Sequence, residues 1–98
     1  MAYGEQSITL ELTLPILTKL GNFICEFDCK VDFACWEIYR DEWDWEPREV
    51  TMEECSFYKE HSFTKRTDPV MWEVILRALG KEDSYVAERL NERLREAA

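Results

Sequence analysis

The stretch from Phe23 to Tyr39 constrains the fold most, because it contains the longest alternation of apolar and polar residues in the chain. Every odd position from 23 to 35 is apolar, and every even position from 26 to 32 is charged. A period of two places successive side chains on opposite faces of a β-strand. The stretch is therefore predicted to be a strand with one buried face and one solvated face.

The alternation changes phase near the middle of this stretch. Trp36 and Ile38 continue the apolar set on even positions. A shift of one residue moves every following side chain to the other face, so we expect a bulge, bend or turn at Ala34–Trp36. An unbroken strand from Phe23 to Tyr39 would also exceed the usual limit of about ten residues.

Before this stretch, a period-two pattern begins at Gln6, in which Ile8, Leu10, Leu12 and Leu14 alternate with Thr9, Glu11 and Thr13. Pro15 is expected to end this first strand, because proline has no amide hydrogen for a ladder. Gly21 and Asn22 form a turn signal before Phe23. The first strand is therefore predicted to pair antiparallel with the second.

After Tyr39, residues 40–47 combine four acids with two tryptophans and end on a proline, a pattern that indicates a loop or a hairpin arm. Alternation returns over Arg48–Tyr58 and predicts a further strand. The polar residues 59–67 are expected to connect the strands to the helical part of the chain.

Two helices are predicted at the C-terminal end. Asp68 suits an N-cap and Pro69 the first helical position, and Gly80 is expected to end this helix, which covers about 69–79. A second helix is predicted over about 84–97, capped by Asp83 or Ser84, with a narrow apolar stripe that should face the core. Residues 1–98 should form a single α+β domain, in which an N-terminal antiparallel meander of three to four strands is covered by one or two helices.

The chain has 21 acids and 12 basic residues and a formal net charge of −9. Such a charge repels nucleic acid and anionic membranes, and it favours a basic protein surface as partner. The alternative is that the acidity only maintains solubility. No apolar run approaches the roughly 18 residues of a membrane helix, and the first twenty residues lack the features of a signal peptide. A cytoplasmic location is expected.

The four cysteines do not have the spacing of a metal site. Cys25 and Cys29 would lie about 13 Å apart on a strand, too far to share a zinc ion, and no C-x-x-C pair is present. Buried free thiols are expected, with no metal or cofactor. Phosphate loops, nucleophile elbows and paired-histidine motifs are absent from the sequence, so a non-enzymatic protein is expected.

Residues 36–54 have the strongest functional character, because eight acids are interleaved with aromatic residues. Trp43 and Trp45 alternate with acids, so on a strand both rings would lie on one side and the acids between them on the other. Tryptophan is enriched at binding hot spots, and surrounding acids suit a partner rich in Lys and Arg. Alternatively, the rings close the edge of the core and the acids form a solvated loop. The candidate partner-binding residues are Trp43, Trp45, Glu37, Asp41, Glu42, Asp44, Glu46 and Glu49.

Three segments carry a general resemblance to a known class of proteins. They are Ile-Thr-Leu-Glu-Leu-Thr-Leu near the start, Asp-Trp-Asp-Trp-Glu-Pro-Arg-Glu-Val in the middle, and Leu-Arg-Glu-Ala-Ala at the end. With these segments, the chain resembles small accessory proteins encoded by bacteriophages. This resemblance implies a compact acidic inhibitor of host defence, such as an anti-CRISPR protein or a DNA mimic, and assigns no role to a particular residue.

The functional hypothesis combines this resemblance with the charge of the chain. It is an inhibitor that docks on a basic, nucleic-acid-binding surface of a host protein. The alternative is an assembly component that forms a homo-oligomer through its C-terminal helix.

Overall fold

The computed structural model describes residues 5–39, 42–53, 60–81 and 83–97. Four strands precede two helices along the chain. The elements are β1 (Gln6–Leu17), β2 (Phe23–Tyr39), β3 (Glu42–Met52), β4 (His61–Phe63), α1 (Pro69–Lys81) and α2 (Asp83–Ala97). The predicted α+β arrangement, a meander followed by two helices, is confirmed.

The sheet has the order β1-β2-β3-β4, and each neighbouring pair is antiparallel. The β1–β2 ladder pairs Gln6 with Cys35 and continues without interruption to Ile16 and Cys25. The predicted turn joins these strands, and Gly21 has a φ of 88° there while its amide donates to the carbonyl of Thr18. Only a residue without a Cβ adopts this left-handed conformation readily.

The hydrophobic core lies between one face of the sheet and the two helices. Burial of apolar surface stabilises this layer by about 25 cal/mol per Å². Strands supply the side chains on one side, and the helical stripes supply those on the other. The largest fully buried side chains are Phe33, Leu10, Leu14, Ile75, Leu90, Val31, Val50 and Val86.

β2 is one strand of 17 residues, so the predicted break is wrong. The irregularities lie in its pairing with β3, between Asp32 and Phe33 and between Glu37 and Tyr39, on either side of the predicted position. The first irregularity places the extra residue, Arg48, in β3, so β2 keeps its alternation there and Trp36 lies on the face opposite the core. Both ends of β2 are exposed, and the predicted buried face fails at Phe23, whose side chain is 61% exposed.

Other strand boundaries also differ from the prediction. β1 continues past Pro15 to Leu17, because an edge strand tolerates a residue that donates no hydrogen bond. The hairpin arm and the beginning of the third predicted strand form a single strand, β3. A short fourth strand, β4, replaces part of the predicted connection and extends the sheet beyond the predicted range of 6–58. The end of the third predicted strand, at 54–58, lies outside the described residues.

Helix α1 begins as predicted. The amide of Met71 donates to Oδ1 of Asp68 at 3.1 Å, and the amide of Trp72 donates to the backbone carbonyl of Asp68 at 2.9 Å. The predicted stop at Gly80 is wrong, because Gly80 is helical and α1 continues to Lys81. The apolar stripe of α2, formed by Val86, Leu90 and Leu94, is buried as expected for a core face.

Neither α1 nor α2 is both long and apolar enough to cross a bilayer.

Candidate functional site: an acidic sheet face

The face of the sheet opposite the helices carries a concentration of carboxylates. The register places the side chains of alternate residues on this face, and most of them are exposed. We call this surface the acidic face. Its carboxylates belong to Glu11, Glu26, Asp28, Asp32, Glu42, Asp44, Glu46 and Glu49.

Two carboxylates of the acidic face are held by threonines on the neighbouring strand. The hydroxyl of Thr13 donates to Asp28 at 2.6 Å, and the hydroxyl of Thr9 donates to Asp32. On β3, Oδ1 of Asp44 accepts the amide hydrogen of Trp45 at 2.8 Å. These hydrogen bonds orient the carboxylates on a rigid sheet and leave them accessible to solvent.

Basic side chains partly offset this charge. Lys30 lies opposite Glu11 in the β1–β2 ladder. Nη2 of Arg48 lies 3.0 Å from Glu46 and 2.7 Å from Glu5, and all three side chains are about half exposed. Exposed ion pairs of this kind contribute at most about 1 kcal/mol each. The acidic face therefore keeps a net negative charge.

The predicted binding residues divide between the two faces of the sheet. Glu42, Asp44, Glu46 and Glu49 lie on the acidic face. Trp43 and Trp45 lie on the opposite face and are partly buried against the core, together with the half-buried Glu37. Asp41 lies outside the described residues. The sheet separates the acids from both tryptophans, so they do not form one surface of aromatic anchors with an acidic rim.

β2 places Trp36 on the acidic face, opposite Asp44 in the ladder. Its side chain is half-buried, and the exposed residues Ile38 and Tyr39 follow it. Trp36 was not among the eight predicted binding residues. The period-two pattern could have found it, because Trp36 has the same parity as Lys30 and Asp32.

A shallow depression of about 320 Å³ lies at the other end of the acidic face. Glu11, Asp28 and Glu53 supply three carboxylates to its lining, and Thr13 supplies a hydroxyl. Acceptor groups in this arrangement are suited to an ammonium or guanidinium group. No cluster of His, Cys, Asp and Glu with the geometry of a metal site occurs within the described ranges.

The cysteines on the core face remain protonated thiols. Burial, with smaller contributions from Asp28 and Glu53, raises the pKa of Cys29 from 9.0 to about 12. Burial raises the pKa of Cys35 from 9.0 to about 11. Both behave as small apolar residues, as expected. Cys25 is exposed, contrary to the expectation, and Cys55 lies outside the described residues.

No protein-family model, curated protein or solved structure matches this chain. The geometry and charge of the acidic face are therefore the basis for a functional assignment.

Proposed function

We propose that this chain is a non-enzymatic interaction protein whose acidic face binds a basic surface of another protein. The observation that carries the proposal is the set of carboxylates arranged on one uncovered face of a rigid sheet. Charges on neighbouring strands attract a basic surface before contact and align it on docking. Because the strands are fixed by the core on the other face, little conformational entropy is lost on binding.

The spacing of the carboxylates supports a partner that binds nucleic acid. Glu42, Asp44 and Glu46 are alternate residues of one strand, which places them roughly 7 Å apart, and neighbouring strands lie about 5 Å away. DNA also presents regularly spaced negative charges to the proteins that bind it. A surface with several regular rows of charge competes for Lys and Arg side chains that otherwise contact phosphates.

Two further features of the acidic face fit such a partner. The depression lined by Glu11, Asp28 and Glu53 accommodates one basic side chain. Trp36, at the other end of the face, offers a ring surface against which a guanidinium group stacks. Together with the resemblance to phage accessory proteins, these features favour an inhibitor that occupies the nucleic-acid-binding surface of a host defence protein in the cytoplasm.

Assembly through the apolar stripe of α2 is less well supported. Val86, Leu90 and Leu94 are at most 6% exposed, because they pack into the core of their own chain. An assembly that used α2 would have to use its charged surface.

The experiment is an affinity capture from a bacterial lysate with a matched pair of charge-reversal variants. The face variant contains Glu26→Lys, Glu42→Lys and Glu49→Lys. The control variant contains Glu73→Lys, Glu88→Lys and Glu96→Lys, which make the same change in net charge on exposed positions of the helices. The expected result is capture of a basic nucleic-acid-binding protein by the wild type and by the control variant, with strong loss for the face variant.

A second measurement tests competition. DNA or RNA should displace the captured protein from the wild-type chain, and the apparent affinity should decrease as salt increases, because screening weakens exposed charge contacts. If both triple variants lose capture of the partner equally, the effect is due to net charge alone and not to the acidic face. Capture that survives in the face variant would overturn the proposal.

A further inference from the structure

We propose that the free edge of β1 pairs with the β1 edge of a second copy of this chain, so that two sheets join into one continuous sheet. Four observations carry the inference: the position of β1, the length of its regular part, a groove beside its centre, and the charge of the helix that flanks the groove. The inference does not depend on the proposed function of the acidic face.

β1 is an edge strand in the order β1-β2-β3-β4. In an edge strand, alternate residues direct their N–H and C=O groups away from the sheet. Natural edges are usually protected by lysines, prolines or bulges. β1 has its proline and its register shift only near its end, at Pro15 and Ile16. Residues 6–14 therefore form a regular edge that carries one charged side chain, Glu11.

This regular edge is centred on Leu10. Antiparallel pairing of two identical strands about Leu10 places Gln6 opposite Leu14 of the second copy and keeps all apolar side chains on the core face. Pro15 marks the end of this register, because it donates no hydrogen bond. A two-fold axis through the centre uses the same surface on both chains, as a symmetric dimer requires.

A groove of about 430 Å³ lies beside the centre of the edge, between β1 and α2. Residues 9–11 of β1 line one side, Arg89 and Arg93 of α2 line the other, and Lys30 contributes a third cation. In the register centred on Leu10, Glu11 of the second copy lies opposite Thr9, on the same face of the joined sheet as Lys30. The carboxylate of Glu11 then adjoins Lys30, with Arg89 and Arg93 across the groove, and the two-fold axis repeats the contact.

The helix that flanks the groove is suited to the approach of a second copy. α2 contains four acids and three arginines, whereas the acidic face has a large excess of carboxylates. The electrostatic repulsion between two copies is therefore strongest where their acidic faces meet and weakest where the sides formed by β1 and α2 meet. Arg89 forms an intrahelical pair with Glu92 at 3.6 Å, and both side chains are about half exposed, so both remain accessible to a second chain.

The test is a charge swap measured by sedimentation equilibrium over a dilution series. One variant is Glu11→Arg, and the other combines Arg89→Glu with Arg93→Glu. In a homodimer of either variant, residue 11 of one copy meets side chains of the same charge in the groove of the other copy. Each variant should therefore weaken self-association by about tenfold or more. An equimolar mixture restores opposite charges in both grooves and should form a heterodimer. Glu42→Arg makes the same charge change as Glu11→Arg two strands from the edge and should leave association unchanged.

Circular dichroism first establishes that each variant is folded, and restored association in the mixture independently shows that both remain competent to dimerise. Hydrogen exchange locates the contact, because edge amides in residues 6–14 should gain protection as the concentration rises. The inference would be overturned by a wild type that stays monomeric, or by a dimer that is insensitive to the charge swap. A synthetic peptide of alternating Glu and Val provides a third check. If this peptide protects the β1 amides of a monomeric wild type from exchange, the inference is also overturned. The last result would assign the edge to an acidic segment of another protein.

Discussion

The indole ring of Trp45 meets the ring of Phe33 edge-on, with centroids 5.3 Å apart and ring planes at 86°. This T-shaped arrangement is the geometry in which the positive edge of one aromatic ring approaches the negative face of another. Phe33 is fully buried, so the contact anchors the beginning of β3 to the core. Trp45 therefore stabilises the fold, whatever partner the opposite face of the sheet binds.

Trp45→Ala should reduce the free energy of unfolding by about 1 to 3 kcal/mol, because it removes a partly buried aromatic side chain from the core. Urea unfolding followed by circular dichroism measures this loss. Glu42→Ala, on the solvated face of the same strand, should change stability by no more than about 0.5 kcal/mol. Unchanged stability in Trp45→Ala, with loss of partner capture, would instead make this ring an interface residue.

Two glycines should respond in opposite directions to alanine. Gly21→Ala should cost about 1 to 2 kcal/mol, because φ is 88° at this position and a Cβ disfavours the left-handed region. Gly80→Ala should increase stability by about 0.5 to 1 kcal/mol, because Gly80 lies in α1 and alanine is the better helix former. A Cβ meets no atom within 4 Å at either position, so packing does not obscure the comparison. Melting temperatures that shift in the same direction would contradict this account.

Asp68→Ala should destabilise the fold by about 1 kcal/mol, because Oδ1 of Asp68 accepts the hydrogen bond of the Met71 amide at the start of α1. Asp68→Asn keeps an acceptor oxygen at this position and should retain most of the stability. Urea unfolding of the two variants separates loss of the cap from loss of the charge. Equal destabilisation by both substitutions would attribute the effect to the charge at the helix N-terminus.

The sequence predicted the fold class because apolar periodicity is a local property that survives into the structure. The alternation from Ile8 to Leu14 and the Asp68-Pro69 signal each specified an element directly. The predicted ends of the first strand at Pro15 and of the first helix at Gly80 were wrong, because a strand can contain a proline and a helix a glycine when the surrounding fold compensates. Pro15 lies in an edge strand, and the packing of α1 continues through Gly80 to the end of the helix.

The candidate site was only partly predictable. The acids of β3 were identified from composition, but the acids of β2 join them on one face only because β2 pairs with β3, where Asp32 lies opposite Glu49. Because that register depends on a bulge between Asp32 and Phe33, no local pattern determines it. The separation of Trp43 and Trp45 from the neighbouring acids of β3 was predictable, because adjacent residues of a strand face opposite sides of the sheet, and it is confirmed.

Stability should decrease as pH rises above about 9, because Cys29 and Cys35 have pKa values raised to about 12 and about 11 in the fold. In the unfolded chain each thiol ionises near its ordinary pKa of 9.0, while in the folded chain it stays protonated. A raised pKa in the folded state therefore stabilises the fold fully below pH 9, and this contribution is lost between that pH and the folded pKa. Urea unfolding between pH 8 and 10, compared with the Cys29→Ala and Cys35→Ala double variant, isolates this effect from other titrating groups. The double variant should show a shallower decrease with pH, and identical slopes would mean that both thiols ionise equally well in the folded chain.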